Sequence, residues 1–217
     1  MKTFEFIKRE DINWLFILLP FIYVFLVHDK MPRFSPFQIN SKQSLNYAFL
    51  FVMGVSIFWY VIFLVKPSIV PKTSFHENLK SFNRMKTLML GYTSLLSLTF
   101  ISKEIGIPFN WSKIGFILAS FFIIAIGNLY PTIRYNHFIG IRNSWTRSNE
   151  LIWKKTHTFA GKVAFWGGLI AALYGMFFNV DPVPYMPVIF VGYGFALVFI
   201  PHIYSYLLYK KNQSQNP

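Results

Sequence analysis

The chain contains no cysteine, which excludes disulfides, thiol catalysis, a lipoprotein anchor and any cysteine-ligated metal, and is compatible with any compartment. Acids are also scarce: eight Asp and Glu stand against 21 Lys and Arg, for a net charge of +13. Charged residues of both signs reach only 13% of the chain, about half the share of a soluble domain. There is no HExxH motif, no paired-carboxylate motif, no internal repeat, and no low-complexity run beyond the polar tail KKNQSQNP. More than half of the residues are hydrophobic and a fifth are aromatic, which is the composition of an integral membrane protein.

Apolar windows recur at 12–27, 45–65, 87–101, 114–130, 159–178 and 185–207, and about 20 residues of helix cross the hydrocarbon. The expected fold is therefore all-α, a bundle of about six transmembrane helices. Windows 12–27 and 87–101 are short, and the second carries several hydroxyls, so either also fits a buried or re-entrant segment. No segment alternates apolar and polar as a membrane barrel must. The first window follows Lys8 and Arg9 as a signal peptide would, but HDKMPRF after it lacks a small-x-small cleavage site, and it is expected to stay as a membrane helix.

The N-terminus, the second and fourth loops and the C-terminus carry fifteen Lys and Arg, against five in the intervening loops. That asymmetry places both termini and the fourth loop in the cytoplasm. Basic residues spread over membrane-proximal loops suit orientation and anionic headgroups rather than nucleic acid. No acid lies deep within an apolar window, which argues against a proton-coupled pump or ion exchanger. The chain divides loosely into residues 1–86, with two spans and a cytoplasmic connector, and residues 87–217, with spans three to six. In the connector, Pro67 and Pro71 prevent an early helix, and HENLKSFNRMK forms a short surface helix into span three.

The exception to this apolar pattern is residues 127–161, GNLYPTIRYNHFIGIRNSWTRSNELIWKKTHTFAG, too long and too aromatic for a bare connection. Pro131 ends span four, Tyr130 and Tyr135 suit the interface, and Gly140 marks a turn. From Ser148 the spacing becomes helical, with Glu150, Lys154, His157 and Gly161 on one stripe. This predicts an amphipathic helix before the fifth span, with Trp145 and Trp153 as interfacial anchors. In span five, Ala160, Ala164, Gly168 and Ala172 recur every four residues beside a row of Gly167, Ala171 and Gly175. Such a face packs closely on another helix, within the chain or in a homo-oligomer.

The ordered pattern from Gly127 to Lys162 resembles the signature of the SdpI family. It comprises Gly127, Asn128, Pro131, Asn136, Phe138, Gly140, Arg142, Trp145, Thr146, Asn149, Glu150, Trp153, His157, Gly161 and Lys162. Asp29, Met31 and Pro32 more faintly resemble the small N-terminal membrane domain that often accompanies it. The resemblance implies a bacterial plasma-membrane protein that is not an enzyme, needs no cofactor or metal, and confers immunity to a secreted peptide toxin. In some systems such a protein also retains a cytoplasmic repressor at the membrane. Asn143 and Ser144 replace the family's usual threonine-proline, and Arg147 a common leucine, departures that bear on partner specificity.

Each signature residue also has a plain structural reading. Arg142 and Trp145 either recognise a partner or fix the loop at the interface by snorkelling and ring insertion. Asn128 reads as a helix cap or an interhelical hydrogen bond. Glu150 reads as the partner of Lys154 or Arg142. His137, His157, Glu150 and His202 contain the elements of a metal or acid–base site, but not at a recognised spacing. A membrane enzyme built on His137, Glu150 and His157, or a small-solute transporter, are the rival readings.

Overall fold

The computed structural model describes residues 11–27, 54–62, 72–136, 139–178 and 186–215. Among these residues the regular structure is helical throughout, without strands. Helix α1 spans Asp11–Val27, α2 covers 54–62, α3 spans Lys72–Glu104 and α4 spans Trp111–Leu129. A 3-10 turn at Tyr130–Thr132 follows, then α5 at Glu150–Phe177 and α6 at Met186–Gln215. Among the described residues, two stretches are long and apolar enough to cross a bilayer, Trp111–Thr132 and Glu150–Phe177; the apolar helix at Asn13–Val27 is shorter.

Helix α3 differs from its expectation. The connector HENLKSFNRMK does not form a separate surface helix; it is the first part of one 33-residue helix that continues through 87–101. No proline or β-branched run interrupts it. It ends where Gly106, at φ 77°, turns left-handed: Ile107 N–H bonds to Ser102 O and Gly106 N–H to Lys103 O, a paired C-terminal cap. Asn110 then starts α4, its side chain accepting from Lys113 N–H at 2.8 Å.

The described residues form two compact units. One comprises 11–27, 54–62 and 86–115. Its apolar core is Ile17, Tyr60 and Leu90, flanked by Phe16 and Trp59. Thr87 donates to the Asn13 side chain at 3.0 Å, and Tyr23 and Ser102 hydroxyls meet at 2.9 Å. Lys86, expected in a cytoplasmic loop, is instead buried, its ammonium 5.5 Å from the centre of the Tyr60 ring. Meanwhile Phe25, Leu26 and Leu15 point outward. The arrangement, apolar outside and partly polar inside, is the reverse of a water-soluble core.

The other unit comprises 72–85 and 116–215. Its frame is the contact between α4 and α5, which small residues allow to be very close. A Cβ on Gly127 would lie 2.5 Å from Phe165 N, and one on Gly161 2.7 Å from Gly127 O. Further along, Gly168 meets Ser120 and Ile124, and Gly175 meets Phe116. Gly161, Gly168 and Gly175 are seven residues apart, so two helical turns separate each contact from the next. Ala160, Ala164 and Ala172 are buried beside them. The row at Gly167 serves α6, whose Tyr193 ring covers the glycine and whose hydroxyl donates to Val163 O.

Two glycines of α4 separate packing from helix propensity. Gly127→Ala is expected to lower the unfolding midpoint in detergent, because the added methyl meets backbone and overpacking costs about 1–3 kcal/mol. Gly115→Ala, where a Cβ meets nothing within 4 Å, should leave the midpoint unchanged or raise it slightly. Equal effects of the two would count against the seam.

Candidate functional site

The signature folds into a compact knot between α4 and α5. Pro131 lies in the 3-10 turn that Tyr130 starts, and Ile133 leaves it buried, its carbonyl accepting from the Trp153 indole at 3.0 Å. The next residue is held from α3, where the Asn78 side chain accepts from Arg134 N–H at 3.0 Å. One turn along α3, the Ser81 hydroxyl donates to Thr132 O at 2.9 Å. The segment expected to be only a connector therefore braces the loop.

Asn136 closes the next bend on itself. Its amide donates to Arg134 O and its oxygen accepts from Ile139 N–H at 2.8 Å, so a buried polar side chain satisfies local backbone. Gly140 follows at φ 105°, a conformation that favours glycine. A Cβ here would also run into the His157 ring and lie 3.2 Å from Trp153.

His157 is the pivot of the knot. Its Nε2 accepts the Ile141 N–H at 3.0 Å, while Nδ1 lies 2.9 Å from Trp153 O. A carbonyl can only accept, so Nδ1 carries the proton and Nε2 the lone pair. This is the neutral imidazole, with both nitrogens used by backbone. The ring stacks on Trp153 at 4.2 Å between centroids, and Tyr130 meets its edge. The side chain is 1% exposed. So committed, His157 offers no nitrogen to a metal or substrate. Glu150 is exposed in the first turn of α5, where an acid suits the helix dipole. His202 lies against Trp145, and His137 falls outside the described residues.

A second set of contacts ties the loop to α6. Asn143 and Thr146 exchange bonds reciprocally: Thr146 N–H donates to the Asn143 side chain at 2.8 Å, and Asn143 N–H to the Thr146 hydroxyl at 3.0 Å. The Asn143 amide then donates to the Ser205 hydroxyl of α6 at 2.8 Å. Beside it, Trp145 meets Tyr206 at 5.1 Å between centroids. The Tyr135 hydroxyl donates to Arg147 O at 2.6 Å, and Asn149 caps α5 by accepting from Leu151 N–H at 2.7 Å.

Several sequence expectations shift. Trp153, expected at the interface, is buried, and Asn128 is exposed while its neighbour Gly127 makes the interhelical contact. The stripe through Glu150, Lys154, His157 and Gly161 splits, because the first two are exposed and the last two buried. At the start of α5 the buried arc is Ile152, Trp153, Thr156 and His157, where the loop folds back over the helix. Lys162 and Arg142 are exposed, Trp145 is half-buried, and Phe138 falls outside the described residues. Nothing in the local sequence pattern marks Asn78 or Ser205, and Asn143 stands out only as a departure from the family pattern, not as the tie to α6 that it is.

A double-mutant cycle of Asn143→Ala and Ser205→Ala measures the tie to α6. Each single variant should lower stability, and the coupling should be about 0.5–1.5 kcal/mol, read from unfolding in detergent. Additive losses would mean that the amide–hydroxyl contact contributes nothing.

Residues 132–205 match the model of the SdpI/YfhL protein family. The chain is also 25% identical over 209 residues to Immunity protein SdpI of Bacillus subtilis (strain 168), covering 94% of this chain and 97% of that relative. No solved structure matches it. The matched segment runs from the threonine that binds α3 to the serine that binds Asn143. The likeness to the SdpI/YfhL protein family is thus carried by residues 132–205, the loop and the two helices it ties together.

Proposed function

We propose that this protein is a multi-pass protein of the bacterial plasma membrane that confers immunity to a secreted antimicrobial peptide, by binding rather than by catalysis. The observation that carries this reading is the likeness along 94% of the chain to a protein called an immunity protein. Six spans, with both termini and the signature inside, are the arrangement we assign. Supporting it are the two long apolar helices, the shorter one at Asn13–Val27, and the outward-facing Phe25, Ile170 and Phe177.

Partner recognition is assigned to the side chains of the signature turn that reach the surface. Asn136, Gly140, Thr146, Asn149, Trp153, His157 and Gly161 bond or pack internally. Arg142 is exposed, and next to it Trp145 is half-exposed on a turn held by Asn143. A guanidinium beside an amphipathic ring suits a peptide or headgroup. Retention of a cytoplasmic repressor would use this same face.

The test is survival of toxin-challenged Bacillus subtilis cells that lack their own SdpI and express this chain. The parent should protect, Arg142→Ala and Trp145→Ala should reduce protection at unchanged protein level, and chelator should have no effect. Abolition by chelator would overturn the binding account. For orientation, Ser35→Cys should react with an impermeant thiol reagent in whole cells and Ser148→Cys should not; labelling at 148 would reverse the topology.

A further inference from the structure

The exposed charge of the second unit is of nearly one sign and gathers at one end. Arg84 of α3, Arg134 and Arg147 of the loop, Lys154 and Lys155 of α5, and Lys210 and Lys211 of α6 are all exposed. Glu150 is the only exposed acid among the described side chains of this unit. These positions share an end because the loop is bonded to α3 through Asn78, to α5 through Trp153 and to α6 through Asn143. Beyond them, residues 116–133, 163–178 and 192–209 contain no Lys, Arg, Asp or Glu. Their outward side chains include Trp166, Ile170, Phe199 and Ile203.

The charges come from α3, the loop, α5 and α6, not from one element. Lys154 and Lys155 are consecutive on a helix and so point about 100° apart, and three further elements contribute the rest. A protein partner or a duplex engages one face; a layer of headgroups meets a helical bundle on every side. Resting on the membrane placement proposed above, we infer that this basic collar binds anionic phospholipid headgroups and prefers phosphatidylglycerol to phosphatidylcholine. Each basic side chain at such a surface adds attraction that falls off within a Debye length, about 10 Å at 0.1 M salt.

The experiment uses the full chain in a neutral detergent, titrated with phosphatidylglycerol or phosphatidylcholine while its unfolding midpoint is followed. Phosphatidylglycerol should raise the midpoint at low salt and lose that effect at high salt. The quadruple variant Lys154→Gln, Lys155→Gln, Lys210→Gln, Lys211→Gln should unfold like the parent in phosphatidylcholine. Its preference for phosphatidylglycerol should fall by roughly tenfold or more. Lys103→Gln, outside this unit, should keep the preference, and inorganic phosphate should not reproduce the stabilisation.

Equal stabilisation by the two lipids, an unchanged preference in the quadruple variant, or full replacement by inorganic phosphate or polyglutamate would each overturn the inference. Membrane fractionation of expressing cells tests the placement separately. Protein in the soluble fraction would sink the placement and the inference together, whereas membrane-bound protein with no lipid preference would sink the inference alone.

Discussion

The backbone approach between Gly127 and Gly161 is the constraint on which the signature region depends. It brings the end of α4 against α5 with no side chain between them. Only at that separation can the loop leaving α4 fold back over the start of α5, bringing Ile133 O to the Trp153 indole and Ile141 N–H to the His157 ring. The same seam continues at Gly168 and Gly175. In lipid there is little hydrophobic drive between helices, so close packing of small residues supplies the association.

Most of the signature is spent on satisfying itself. A loop of this length carries many backbone groups that need partners, and near a bilayer water is a poor substitute. Asn78, Asn136, Asn143, Asn149 and His157 each supply a side-chain partner to a backbone N–H. That accounts for a motif rich in Asn yet without catalytic spacing. A histidine that a sequence pattern offers as a base or ligand is here an acceptor for one amide, neutral and enclosed. At the surface lie Asn128, Pro131, Arg142, Glu150 and Lys162, with Trp145 half-exposed.

Burial in the first unit tells a related story. Asn13, Ser56, Ser94, Ser97 and Lys86 are buried while Leu15, Leu18 and Phe25 are exposed. In water this inversion would waste apolar burial, the dominant favourable contribution to folding. Against lipid it is reasonable, because polar groups find partners inside and apolar ones need none outside.

The sequence by itself determined the helical class, the position of the apolar stretches, the small-residue face of α5 and the special conformation at Gly140. These follow from composition, periodicity and single-residue backbone preferences, all local properties. The signature residues were also legible, as an ordered pattern. Which of them face inward was decided only by tertiary structure. Trp153 and His157 look like an interfacial anchor and a candidate ligand until the loop folds back over them, and Glu150 and Lys154 share their stripe without sharing their burial. Asn78 and Ser205 lie 56 and 62 residues from their partners, so no local pattern could pair them. Burial and long-range hydrogen bonding depend on what another segment brings to the same place, and that information is absent from any one helix's periodicity.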